Sequence, residues 1–311
     1  MPPDLSVLTA LPAPRREPLK VVSAWDLTVP YQEFRAQHLV PPTLETVLPD
    51  RLTAHRTYVV VNQKGGAGKT TTAMELAAVW TAMGYTVRVI DLDHQASLSS
   101  WLEPIYPEDV APKDRRELTD VFYGRCPLDE ATYYTRYQNL YVVPSTEELA
   151  LVDLDPRVGK DTALRKAIAA SQAPIDITII DAPPALGKLS VNGLTAADEA
   201  LVPLKVGALD ERGLAKLHRT IRAVQDETNP HLAVRATFLT AWKRSEYARE
   251  VAERVRSDYP EAAVFTIRES VKAAEAPKHC EPVRLFEPTG TTAADYDQAG
   301  RVLLQPKEVT A

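Results

Sequence analysis

From residue 58 to residue 304 the chain alternates two textures of apolar residue. Short runs rich in β-branched residues fall at 58–62, 86–93, 140–143, 175–181, 200–204, 237–241 and 264–267. Between them lie helix-forming stretches at 70–83, halted by Gly84, and at 162–170, 214–224 and 292–304. Several of the short runs carry no polar alternation, as strands do when helices cover both of their faces. Strands alternating with helices predict an α/β domain, a mostly parallel twisted sheet flanked by helices on both faces. Residues 1–55 break the pattern, holding nine of the 25 prolines and only short apolar clusters, which frustrates continuous helix or sheet. The expected organisation is a proline-rich extension over 1–55, one α/β domain over 56–305 and a short tail over 306–311. Within the extension, residues 31–39 offer a short helix and Trp25 an aromatic ring to dock on the body.

Composition narrows the class. A chain of 311 residues with 45% apolar and 25% charged residues is ordinary globular material. Two distant cysteines, Cys126 and Cys280, give neither a disulfide framework nor paired zinc spacing, so a reducing cytoplasm is the default. No run approaches 18 apolar residues, which disfavours a membrane span. The net charge of −6 gives no global attraction to nucleic acid, so DNA binding would need a local basic patch.

The most informative segment runs Val59-Val60-Val61-Asn62-Gln63-Lys64-Gly65-Gly66-Ala67-Gly68-Lys69-Thr70-Thr71. A buried-strand pattern enters glycines and then a good helix. Gly65, Gly66 and Gly68 let successive N–H groups point at one spot, and the helix adds its positive end, so a polyphosphate fits. Lys69 would place an ammonium by the β and γ phosphates, and the Thr70 hydroxyl would enter a magnesium shell that keeps several waters. The strict phosphate-loop pattern wants glycine at 63, where Gln63 stands. What remains, Lys-Gly-Gly-x-Gly-Lys-Thr, resembles the deviant Walker A motif of the ParA/MinD family of P-loop ATPases. That resemblance implies ATP and Mg2+ as cofactors, contacts from Lys64 through Thr71, and a homodimer in which Lys64 reaches across to the partner's phosphates.

Two acidic strand ends complete the pattern. Phosphoryl transfer is chiefly positioning and charge neutralisation, which calls for carboxylates near the metal and the attacking water. One strand ends Asp91-Leu92-Asp93-His94-Gln95-Ala96-Ser97, with alternation placing Asp91 and Asp93 on one side; another ends Asp181-Ala182-Pro183-Pro184-Ala185-Leu186-Gly187. Both look like the family's second motif and Walker B segment. By that resemblance Asp181 holds magnesium through a water, Asp93 orients the attacking water, and Asp91 supports metal and lysine geometry, with the order of the last two roles open. His94 stands where proline is common in the family, which implies a less rigid loop.

The remaining sequence sorts the family's branches. Neither cysteine sits in an iron–sulfur motif, against a reductase. The last 21 residues hold one tyrosine, Tyr296, against a tyrosine kinase, and the tail from Val302 is interrupted by Pro306 rather than forming a basic amphipathic helix, against membrane recruitment. Asn192–Asp198, Glu275-Ala276-Pro277 and Pro282–Pro288 look like landmarks of ParA-type partition proteins. Residues 212–272 hold 12 basic and eight acidic residues, and Arg244, Arg268 and Lys272 fall near the places where the family's DNA-contacting arginines lie. The resemblance therefore implies a nucleoid-associated, cytoplasmic partition ATPase. Such an enzyme dimerises on ATP, binds nonspecific DNA and is released by slow hydrolysis that a ParB-type centromere-binding partner stimulates. Two alternatives stand beside it: a ParA-like scaffold that positions a protein cargo, and a module that retains nucleotide with negligible hydrolysis.

Overall fold

The computed structural model describes residues 52, 54–108, 110–156, 161–208 and 211–305. The extension's candidate helix at 31–39, its Trp25 and the 306–311 tail lie outside the described residues. Eight strands, β1 (Arg56–Val60), β2 (Val87–Asp91), β3 (Tyr133–Tyr134), β4 (Leu140–Val143), β5 (Ile177–Asp181), β6 (Glu199–Lys205), β7 (Ala233–Trp242) and β8 (Ala263–Arg268), form one sheet. Their order is β3-β4-β2-β5-β1-β6-β7-β8. All neighbouring pairs are parallel except β3 with β4.

Helices follow in chain order: α1 (Lys69–Ala82), α2 (Ser97–Leu102), α3 (Leu118–Phe122), α4 (Ala150–Leu154), α5 (Ala163–Ala170), α6 (Lys188–Ala196), α7 (Glu211–Glu227), α8 (Glu246–Asp258), α9 (Val271–Glu275), α10 (Val283–Phe286) and α11 (Thr291–Leu304). Strand alternation divides the core between the two faces of the sheet. Tyr58 and Val60 of β1 join Met74, Trp80 and Tyr296 in a cluster built with α1 and α11. Val59 of the same strand, with the following Val61, joins Leu194, Leu217 and Val255 in a second cluster built with α6, α7 and α8. The first face is pinned by polar bonds as well, since the Trp80 indole N–H donates to the Gly300 carbonyl at 2.9 Å and the Thr72 and Tyr296 hydroxyls bond at 3.0 Å.

All seven predicted strands and four predicted helices are present, with boundaries moved by a few residues. The predicted first strand, 58–62, begins instead at Arg56 and ends at Val60, so Asn62 belongs to the loop. The second ends at Asp91, so alternation along a strand does not carry on to Asp93 as expected; Asp93 stands in the loop beyond. α8 starts at Glu246, capped by the Ser245 hydroxyl accepting from the Ala248 N–H at 3.1 Å. Among the described residues no helix is long and apolar enough to cross a membrane.

Candidate nucleotide site

β1 and α1 are joined by residues 61–68 at the carboxyl edge of the sheet, beside the point where the chain's path divides: β2 lies on one side of β1, β6 on the other. Gly66 and Gly68 take φ values of 69° and 94°, the left-handed region that a side chain resists. Gly68 is the N-cap of α1 and makes no side-chain cap bond, and the first turn carries no acidic residue. Its N–H groups and dipole are therefore available to an anion. The loop is supported from below. Asn62 donates to the Pro203 carbonyl and accepts the Lys64 N–H at 3.1 Å, while the Thr240 hydroxyl donates to the Ala67 carbonyl at 2.9 Å. A Cβ on Gly68 would approach Thr240 Cγ2 to 3.2 Å, so β7 closes one side of the loop. Thr240 was not foreseen; nothing in the strand's sequence, which also holds Arg235 and Thr237, sets it apart.

Lys69 is 8% exposed, and burial lowers its pKa against the opposing pull of Asp181 and Asp93. Thr70 and Thr71 follow, partly buried, in the first turn. Lys64 is partly buried, and Gly65 and Gly66 are exposed at the loop's crest.

The acids arrive through strand register. β2, β5 and β1 are adjacent, Asp91 pairs laterally with Asp181, and Asp181 pairs with Val60, so three strands end level beside the loop. Asp181 is 1% exposed, and among the described residues neither of its carboxylate oxygens has a hydrogen-bond partner. Its pKa is raised, first by burial and then by the Asp91 charge, against the opposing pull of the Thr70 hydroxyl and the Lys69 charge. Asp91 is different. Its Oδ2 accepts both the N–H and the hydroxyl of Ser99 at 2.7 Å, and its Oδ1 accepts the Asp93 N–H at 3.2 Å. These bonds favour the carboxylate, but burial outweighs them and pushes the group up to about 6. The structure thus gives Asp91 the work of folding the 92–99 loop. Asp93 accepts the Gln95 N–H at 3.0 Å and has His94 Nδ1 at 3.8 Å.

The residues fit a magnesium nucleotide. Magnesium keeps most of its waters and needs few protein oxygens. A hydroxyl at Thr70 and two unbonded oxygens on Asp181 meet that need, although among the described residues no cluster of three or more His, Cys, Asp or Glu could hold an ion. The chain's residues 55–234 match the family described as an AAA domain. The sporulation initiation inhibitor protein Soj of Bacillus subtilis is 32% identical over 241 residues, spanning 76% of this chain and 93% of that protein. The chromosome partitioning protein ParA of Caulobacter vibrioides is 34% identical, spanning 75% and 87%.

The chain belongs to the ParA/Soj family of P-loop ATPases. The fold agrees with solved structures, among them that of a cobyrinic acid a,c-diamide synthase from Mycobacterium smegmatis with bound ADP and magnesium. That protein is 30% identical, and its structure has a TM-score of 0.64 and covers 81% of this chain and 94% of its own. In this ParA/Soj-family chain the three candidate DNA contacts lie at the same edge of the sheet, beyond β6. Arg244 is exposed in the turn before α8, Arg268 ends β8 and Lys272 is in α9. Arg268 is not an open cation: its Nη2 and Nε bond both oxygens of Asp295 at 2.6 and 2.9 Å. Lys272 stands 3.9 Å from Glu287. Two further cations that sequence reasoning had not singled out join this rim, the exposed Lys205 at the end of β6 and Lys243, which pairs with Glu269 at 2.6 Å.

Proposed function

We propose that this chain is a DNA-partition ATPase that binds ATP with magnesium on residues 64–71 and pairs with a second copy over the nucleotides. While paired it holds nonspecific DNA, and it lets go on hydrolysis. The observation that carries the reading is Asp181, a buried carboxylate with no bonded partner among the described residues, set beside Lys69, Thr70 and an uncapped helix N-terminus. The packing around those acceptors does not use them, so a bound cation with its water shell supplies their missing partners. Magnesium and the triphosphate bring the charge neutralisation and the transferable phosphoryl group. Lys69 and the first-turn N–H groups hold phosphate oxygens, Asp93 orients water at the mouth of the loop, and Asp91 holds the loop that carries Asp93. Lys64 serves the nucleotide of the second copy. The energetic link is reciprocal: DNA favours the paired state only through contacts that the pair makes better than single chains do.

Soj and ParA, the relatives named above, support chromosome DNA as the cargo, acted on with a ParB-type partner that speeds hydrolysis from a slow basal rate. The test is DNA binding with ATP, with ADP and without nucleotide, alongside molecular mass in solution. Binding that appears only with ATP, on a species of doubled mass that Lys64→Ala cannot form, is the expected result. A chain that stays single at saturating ATP refutes the scheme. Recovery of a protein-cargo adaptor without any centromere-binding protein would favour the scaffold reading, and negligible phosphate release would favour the retention module. ATP turnover in the absence of cobyrinic acid separates the partition and scaffold readings from a diamide synthase like the Mycobacterium smegmatis protein.

A further inference from the structure

The two acidic loops do not touch through their own side chains alone. The segment after β4 meets both. At one end the Ser145 N–H donates to the Ser99 hydroxyl at 3.0 Å, and that hydroxyl donates to Asp91 at 2.7 Å. At the other end α4 and α6 cap each other reciprocally. Asp153 Oδ1 accepts the Leu189 N–H at 3.0 Å, meeting an open donor of α6. Lys188 Nζ donates to the Val152 and Asp155 carbonyls at 3.0 and 2.8 Å, meeting open acceptors at the end of α4. Between these ends a short 3-10 turn at Glu147–Leu149 runs straight into α4, with Leu149 and Val152 fully buried. The crossing is close as well as bonded, since a Cβ on Gly187 would lie 3.3 Å from both oxygens of Asp153. Only residues 182–187 separate this crossing from Asp181, and Ser190 folds them back by donating to the Ala185 carbonyl at 2.6 Å.

We propose that residues 145–155 are a strap that sets the loop after Asp91 against the loop after Asp181, with Asp153 and Lys188 as its positioning pair. The proposal rests on the ATPase reading, and the residues touch no reacting atom; they act by placing the two loops that do. A packed turn and helix transmit a displacement at one end to the other, because a close-packed element shifts as a body. Misplacing catalytic groups by about an ångström costs up to about 100-fold in rate. Loosening the strap should therefore lower kcat while leaving the phosphate loop's affinity for nucleotide intact.

The experiment compares Asp153→Ala, Lys188→Met and the double variant with the unmodified protein, in ATP turnover and in ADP binding. Each single variant should lose at least about tenfold in kcat with ADP affinity within about twofold, and the double should be no worse than the worse single, since both anchor one crossing. Asp153→Asn, which keeps an oxygen for the Leu189 N–H, should retain most of the rate. So should Leu154→Ser, on the same helix but 78% exposed. Amide exchange gives an independent reading in the milder Lys188→Met protein: faster exchange in both 92–99 and 182–187 is expected. Faster exchange in 182–187 alone, kcat and ADP affinity falling in parallel, or multiplying effects in the double variant would overturn the strap. Turnover by the unmodified protein judges the ATPase reading separately.

Discussion

Glu75 provides a test of how α1 is held. It lies in the second turn of α1 and is fully buried; its Oε1 accepts the Val283 N–H at 2.6 Å and its Oε2 the Arg284 N–H at 3.4 Å, so it caps α10 from outside. The charged groups facing it are Arg284, which favours the carboxylate, and Asp297, which opposes it; the Tyr296 ring lies close by. Burial outweighs the bonds and pushes the carboxyl from 4.5 to about 7. The folded value thus lies above the unfolded one, so this stabilisation is full below about pH 4.5 and is lost as pH rises through about 7. At about 1.4 kcal/mol per pH unit the swing is roughly 3 kcal/mol. Glu75→Gln keeps the shape and an acceptor for Val283 while removing the proton. Urea unfolding of both proteins from acid to alkaline pH should show the glutamine variant gaining roughly 3 kcal/mol relative to the parent, while other titrating groups cancel in the difference. A difference flat with pH would mean that the α10 N–H groups offset the burial and leave the folded Glu75 titrating as it does unfolded, and the reasoning would fail.

Lys69→Ala should abolish ATP binding, because each lost charge-assisted contact costs about 1.5–3 kcal/mol and this lysine makes more than one; calorimetry showing normal affinity would refute its assignment. Replacing Arg268 and Lys272 together should reduce the salt slope of DNA binding by up to about two phosphate contacts while sparing ATP-driven pairing. Because Asp295 occupies Arg268, Asp295→Asn should move the slope the other way, and no change in either protein would remove both residues from the interface. Gly300→Ala would bring a Cβ within 2.6 Å of Val79 Cγ1 where α11 crosses α1, and thermal unfolding should show a loss of about 1–3 kcal/mol. Asp129→Ala should cost about 3–5 kcal/mol by stranding the 1%-exposed Arg88 without its carboxylate, whereas Arg88→Met should cost less; equal losses would contradict a desolvation origin.

The sheet was legible because its central strands β1, β2 and β5 are buried runs rich in Val and Ile whose length and spacing leave few alternatives, and the phosphate loop because glycine, lysine and threonine sit at fixed offsets between strand and helix. The two-residue β3 was not, since Tyr133 and Tyr134 gain strand character only by pairing with β4. α6 was hidden by poor helix formers. Its Gly193 is demanded by contact, a Cβ there meeting Leu92 Cδ2 at 3.1 Å, and its Asn192 bonds the Leu164 N–H and the Lys188 carbonyl. Tertiary packing overrides propensity in such a segment. α8 could have been found, for Ala248, Val251, Ala252 and Val255 repeat at helical spacing behind Ser245, but its charges drew attention to a surface instead. At the site, the sequence left the order of the Asp91 and Asp93 roles open. Burial and the Ser99 bonds separate them, and those bonds join residues eight apart through a loop whose path no motif encodes.

The two edges of the sheet use their carboxylates differently. At the amino edge carboxylates are engaged: Asp198 accepts the Thr57 N–H, Asp176 the Thr86 N–H, and Asp129 the Ser171 hydroxyl and Gln172 N–H as well as Arg88. At the carboxyl edge Asp91 is engaged too, but β5 ends in Asp181, a buried acid whose oxygens are both left unbonded among the described residues, beside a helix whose N-cap makes no side-chain bond. Each buried acceptor left unmet costs about 1–3 kcal/mol, a loss that ordinary packing would remove by substitution. Its persistence at one edge, against the engaged carboxylates of the other, is what a fold looks like when those bonds are reserved for something that comes and goes. The parallel topology explains why the reserve gathers there: every β-to-α turn of the β2–β5–β1 trio opens on that edge, so one glycine loop and two acidic loops converge without any of them having to cross the core.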